Sequence, residues 1–268
     1  MTAFGEQCTP FEVDVAGRTL ACRSFGKGPS LFLVNGMTGN SDLLSLLAWV
    51  LADDFECVVY DLPDSVGVPP SVPDFLSQCL LSVADVKGEQ QIDVFSAGFG
   101  CVTALTTAIQ HPDRIRRLVM QSAFAHRGVS LMERLLSSLF RKSTRPIGKL
   151  PLWRPINERN HQMWFPPFDE SRWKFLDDNL GATPLCRVTT LNRAFGQFDV
   201  RDQLGAVTCP TLLIPTEGDG RVLEVSHSVL ESGLPNSKTE VMDNTGHFAF
   251  LTHPHRLKKQ LKQFLLDS

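Results

Sequence analysis

The stretch that most constrains this chain is residues 91–101. Gln91, Ile92, Asp93, Val94 and Phe95 read as a buried strand, Ser96 to Gly100 form a glycine-rich bend, and an amphipathic helix follows at once. Cys101, Val102, Ala104, Leu105, Ala108 and Ile109 recur at helical spacing until His111-Pro112 stops them. A second buried strand follows at 117–122, so the sequence predicts an α/β protein with a largely parallel sheet.

At 268 residues and 43% hydrophobic content, the chain can fill one large α/β core and still carry an insertion. Its 26 basic and 29 acidic residues leave a net charge of -3, which points away from nucleic acid and from a membrane, and toward a small-molecule partner. The seven cysteines form no CxxC pair and most sit in apolar runs, as buried thiols of a reducing compartment do. Residues 1–6 have no signal-peptide pattern and no apolar run approaches the ~20 residues of a membrane span. A cytoplasmic protein is expected. His253 and His255 lack partners at metal-ligand spacing and there is no nucleotide fingerprint, so neither a metal nor a cofactor is expected. Oligomeric state stays open.

Taken in order, residues 11–15 and 18–24 read as a hairpin at the sheet edge, with a turn at Ala16-Gly17. Leu31 to Val34 form a short buried strand ending at Asn35-Gly36-Met37-Thr38-Gly39. A helix at 41–52, a strand at 57–60, a loop opened by Asp61 and a helix at 74–86 lead to the central stretch. Residues 124–204 carry no buried-strand signal; helical stretches such as 131–140 and 171–180 alternate with prolines at 146, 151, 155, 166 and 167. The strand pattern returns at 209–214, followed by Pro215-Thr-Glu217-Gly-Asp219, a helix at 223–232, a strand at 237–242, Asn244-Thr-Gly246-His247-Phe248 and a last helix at 255–266.

The bend at 96–100 resembles the nucleophile elbow of the α/β-hydrolase superfamily, G-x-S-x-G between strand and helix. Residues 210–219 and Gly246-His247 also resemble that family, and their order agrees with its order of nucleophile, acid and histidine. The resemblance implies an α/β-hydrolase fold of capped, esterase or C–C hydrolase type: a core in two parts, 1–123 and 205–268, with a helical cap at 124–204. The register that fits the helix puts Gly98 at the nucleophile position; the alternative makes Ser96 the nucleophile. In the first register the attacking residue has no side chain, and no acyl-enzyme can form there. Glycine there avoids the cost of the positive φ that an elbow imposes.

The resemblance further assigns Asp219 as the triad acid, with Glu217 second, His247 as the catalytic histidine, and the Met37 and Phe99 amides as an oxyanion hole. The other reading of Asn35-Gly36 is a simple tight turn. Asn35, Gly36, Trp164, Phe165 and Phe248 are candidates for the pocket, with Met163, Phe168 and Trp173 beside them. Three functions remain open: general-base chemistry by His247 without a serine, of hydrolytic, lyase or oxygenase type on a small apolar carbonyl compound; a ligand-binding or scaffolding protein; and a serine hydrolase through Ser96.

Overall fold

The structure, a computed structural model, describes residues 7–34, 36–62, 71–167 and 169–266. Eight strands form one sheet: β1 (Thr9–Asp14), β2 (Thr19–Gly26), β3 (Ser30–Val34), β4 (Glu56–Tyr60), β5 (Ile92–Ala97), β6 (Ile115–Gln121), β7 (Thr211–Ile214) and β8 (Ser237–Thr239). Their spatial order is β1-β2-β4-β3-β5-β6-β7-β8. β2 pairs antiparallel with β1 and β4, and every later pairing is parallel.

The strand β5 lies between β3 and β6, deep in the sheet, and all six of its residues are buried. This explains why Val94 and Phe95, which point to opposite faces, are both apolar, since a parallel strand covered on both faces has no solvent side to mark. Alternate residues feed two cores. Phe32, Val94 and Leu118 pack on one face with α2 (Val72–Val86) and α3 (Gly100–Gln110). Leu33, Phe95 and Val119 pack on the other with α1 (Ser45–Leu51) and α10 (Pro254–Leu265).

Between β6 and β7 the described residues form four α-helices: α4 (Leu131–Leu139), α5 (Trp153–His161), α6 (Glu170–Ala182) and α7 (Leu185–Phe195). α8 (Gly220–Gly233) follows β7, and α9 (Ala249–Thr252) precedes α10. The inserted helices bond to loops at the carboxyl ends of the strands. Arg187 of α7 donates to the Thr38 carbonyl at 2.8 Å and to that of Leu62 at 3.4 Å, beyond β3 and β4 respectively. Asn40 Nδ2 donates to Asn179 Oδ1 of α6 at 2.9 Å.

Four elements differ from the sequence reading. The helix expected at 41–52 opens as a 3-10 turn, Ser41–Leu44, because Ser41 is tied down: its amide and hydroxyl both donate to Asp61 Oδ1, at 2.7 and 2.6 Å. The strand expected at 237–242 stops at Thr239, and beyond it only one bridge, Thr216 to Met242, continues the pairing. α5 and α7 have no counterpart among the expected helices; α5 is too polar for an apolar stripe and carries Pro155 in its first turn, where proline is tolerated. Most of the loop opened by Asp61, with Pro69 and Pro70, lies outside the described residues, as do Asn35 and Phe168.

Candidate active site

Gly98 follows directly on β5 and has φ +52°, in the left-handed region. Its amide donates to the Gln121 carbonyl at 2.9 Å, and its carbonyl accepts from the Cys101 amide at 3.1 Å, so the bend is bonded to β6 behind it and to α3 ahead. A side chain here would meet two obstacles. The backbone disfavours an L-residue, and a Cβ would stand 2.7 Å from His247 Nε2 and 3.1 Å from its Cε1. The imidazole occupies the volume that a nucleophile's side chain would take.

The ring is held from behind. His247 Nδ1 lies 3.1 Å from Asp219 Oδ1, and the Asp219 side chain is only 3% exposed. The other carboxylate oxygen, Oδ2, accepts from the Thr216 amide at 2.9 Å. Burial works against the charge of Asp219. The hydrogen bond and charge of His247, the Thr216 amide and the Ser122 hydroxyl outweigh it, and the carboxyl titrates below the usual carboxylate range. Glu217, the second acid candidate, does other work: its Oε2 accepts from the Asn244 amide at 2.8 Å, where Asn244 turns with φ +56°.

Ser96 lies inside β5, paired with Val34 and Met120 and fully buried. It sits two residues short of the bend, on the sheet face of Val94. Its hydroxyl has no hydrogen-bond partner among the described residues. Cys101, on the elbow helix, is buried, donates to the Phe124 carbonyl at 3.4 Å, and is pushed up to about 12 by its burial. A thiol held protonated there is no nucleophile.

The loop after β3 meets the elbow. A Cβ added to Gly36 would lie 3.6 Å from the Phe99 nitrogen, and the Gly39 amide donates to the Gly36 carbonyl at 3.2 Å, closing a turn around Met37 and Thr38. Neither the Met37 nor the Phe99 amide donates to another described residue. The Phe99 ring points elsewhere, stacked on Phe195 of α7 at 5.0 Å and edge-on to Phe124 at 5.4 Å.

The aromatic candidates divide. Phe248 contacts the His247 ring edge-on at 5.2 Å. Trp164 packs against the backbone at Gly218 and Gly246, where Cβ atoms would come within 2.6 and 2.4 Å of the indole. It braces the Gly218 and Gly246 loops together. Phe165 is buried edge-on against Trp173 at 5.4 Å, within the core that includes α9 and α10.

Two neighbours of the dyad escaped the sequence. Gln121, at the end of β6, donates from Nε2 to the His247 carbonyl at 2.7 Å while its own carbonyl holds Gly98, so one residue spans both loops. His161, at the end of α5, packs edge-on against Phe248 at 4.9 Å. Burial, and then the charge of His247, lower it from its ordinary value of 6.5 to about 4. A glutamine ending a strand and a histidine in a polar helix carry no signal in sequence.

The alpha/beta hydrolase family signature matches residues 31–260, and the chain belongs to this family. Among its relatives are hydrolases. A 2-hydroxy-6-oxononadienedioate/2-hydroxy-6-oxononatrienedioate hydrolase of Pseudomonas putida is 24% identical, over 90% of this chain and 85% of the relative. A pimeloyl-[acyl-carrier protein] methyl ester esterase of Aeromonas hydrophila is 21% identical, over 92% and 99%. The enol-lactonase of Burkholderia xenovorans LB400 superposes with a TM-score of 0.79 at 16% identity, covering 95% of this chain and 99% of that one. At that identity the likeness concerns the fold.

Two outcomes follow from this geometry. Gly98→Ala and Gly98→Ser should each lose about 1–3 kcal/mol in urea unfolding, from the left-handed backbone and the displaced ring. Only the serine variant, once the imidazole yields, should gain a burst of p-nitrophenol from p-nitrophenyl acetate. Unchanged stability in both would mean that residue 98 is not at a strained bend. His161 gives a pH dependence. Its folded-state pKa is depressed, so the unfolded chain takes up the proton first and stability falls as pH drops from 6.5 toward about 4. His161→Phe should flatten that limb relative to wild type in denaturant titrations at neutral and at acid pH; parallel limbs would contradict the assignment.

Proposed function

We propose that this chain is an enzyme acting on a small, largely apolar carbonyl compound by general-base chemistry, without a covalent serine intermediate. The observation that supports this best is the Asp219–His247 pair at 3.1 Å, with Nε2 turned to the bend at Gly98. A chain with no chemistry at this bend has no need of an ionised, buried carboxylate behind a histidine.

In the hydrolytic form of the proposal, His247 Nε2 takes a proton from water as the water oxygen bonds to the carbonyl carbon. The carbonyl electrons move to oxygen, and the Met37 and Phe99 amides stabilise the oxyanion. Collapse expels the leaving group, which recovers the proton from the imidazolium. Asp219 fixes the tautomer that leaves Nε2 free to accept, and its lowered pKa keeps it ionised to do so. Proton abstraction from an acidic substrate C–H or O–H, as in lyase or oxygenase reactions, would use the same groups.

Helices α4 to α7 serve in this proposal as a cap. The bonds from Arg187 to Thr38 and Leu62, and the packing of Trp164 against Gly218 and Gly246, attach them to loops around the dyad. The burial of Ser96 inside β5 weighs against a serine hydrolase acting through it. All seven cysteines are free thiols and five are buried, which suits a reducing, cytoplasmic setting. No helix among the described residues is long and apolar enough to cross a membrane.

The test is turnover of p-nitrophenyl acetate with a fluorophosphonate probe in parallel. The proposal expects hydrolysis without a burst, no labelled serine, and a loss of about 10²–10⁴-fold in kcat for His247→Ala. Labelling at Ser96 would replace it with the serine mechanism. Tight ligand binding with no turnover that depends on His247 would make the chain a binding protein.

A further inference from the structure

Helix α4 is built the reverse way round from an ordinary surface helix. Leu131, Met132, Leu135, Leu136 and Leu139 fall on one arc of about 140°, at roughly 100° per residue. That arc faces outward, each of the five being 44% to 83% exposed. The polar side faces the protein: Ser137 Oγ accepts from Asn192 Nδ2 at 3.2 Å, and Glu133 Oε1 accepts from Arg127 at 2.6 Å. Arg127 in turn donates to Asn192 Oδ1 at 2.7 Å, so the inward face is a closed polar network with no place for the leucines. The helix is nevertheless well begun, with a capping box in which the Glu133 amide donates to Ser130 Oγ and the Ser130 amide to Glu133 Oε2. A continuous apolar face of this kind on a folded protein marks a contact surface.

Charge identifies what it contacts. The net charge of -3, which led away from a membrane partner, averages over a strong local bias. Residues 131–159 hold seven Lys and Arg against two Glu, a net +5. Arg134, on the helix, and Arg141, Lys142 and Arg145, just after it, are all exposed. Arg134, Arg141 and Lys142 form no ion pair with a described residue. A second copy of this chain would bring two such basic segments together, and like charges oppose that contact.

We propose that α4 docks the chain on an anionic membrane surface. The leucine arc lies in the headgroup and acyl boundary, and Arg134, Arg141, Lys142 and Arg145 face the lipid phosphates and carboxylates. A helix lying in the interface needs no membrane-spanning run, only an apolar face, a basic flank and a large separation between them. The inference is independent of the chemistry proposed for His247.

Flotation of the full chain with vesicles tests it. With equal parts phosphatidylserine and phosphatidylcholine the protein should float, with phosphatidylcholine alone it should stay behind, and high salt should release it. Leu135→Glu/Leu139→Glu should reduce the bound fraction by about tenfold or more, and Arg141→Glu/Lys142→Glu by about tenfold. These residues are exposed, so thermal unfolding of both variants should match wild type, which separates lost docking from lost folding. The proposal is overturned if the wild type ignores both vesicles, or if neither double variant changes binding. It is overturned equally if the wild type instead forms a dimer that Leu135→Glu/Leu139→Glu dissolves, which would make a second copy the occupant.

Discussion

The site depends on one backbone torsion, the positive φ at residue 98. It lets β5 turn straight into α3, with the Gly98 amide on β6 and its carbonyl on the helix. The bend sits in the middle of the sheet, where strand ends from both sides converge, and ligands in α/β folds bind at that edge. Glycine meets the torsion without strain. Its missing side chain then lets the His247 ring come to where a Cβ would have been, so the same residue that relaxes the bend also reshapes the chemistry above it.

Everything else near the dyad resists that ring's freedom. Asp219 holds Nδ1, Gln121 holds the backbone carbonyl, Phe248 lies against the ring, and Trp164 packs against the two loops at Gly218 and Gly246. Trp164 comes from the insertion between β6 and β7, so the position of the histidine loop is tied to the packing of that insertion. His161 adds a second, neutral imidazole from the same helices, across Phe248 from the first.

Much of this was legible in the sequence, for physical reasons that differ by element. The elbow could be read because strand and helix periodicity change within a few residues around Gly98. Asp219, after the strand pattern at 209–214, and His247, after a glycine, are legible through the resemblance to the family rather than by periodicity, and the structure brings the two side chains together. Gln121, His161 and the outward face of α4 could not. A glutamine that bridges two loops and a histidine that packs on Phe248 act through contacts distant in sequence, and periodicity finds an apolar stripe without saying which way it points. Phe165 illustrates the same limit. An aromatic near proline breaks fits a pocket and a core equally well, and the structure places it in the core.

The direct measurement of the central claim is the tautomer of His247. Nitrogen NMR on the histidine-labelled protein at neutral pH reports each ring nitrogen separately. If Asp219 orients a base toward the bend, Nδ1 carries the proton and Nε2 is bare, and Asp219→Asn removes that preference. A proton on Nε2 in the wild type would contradict it, because the nitrogen facing Gly98 could then accept nothing.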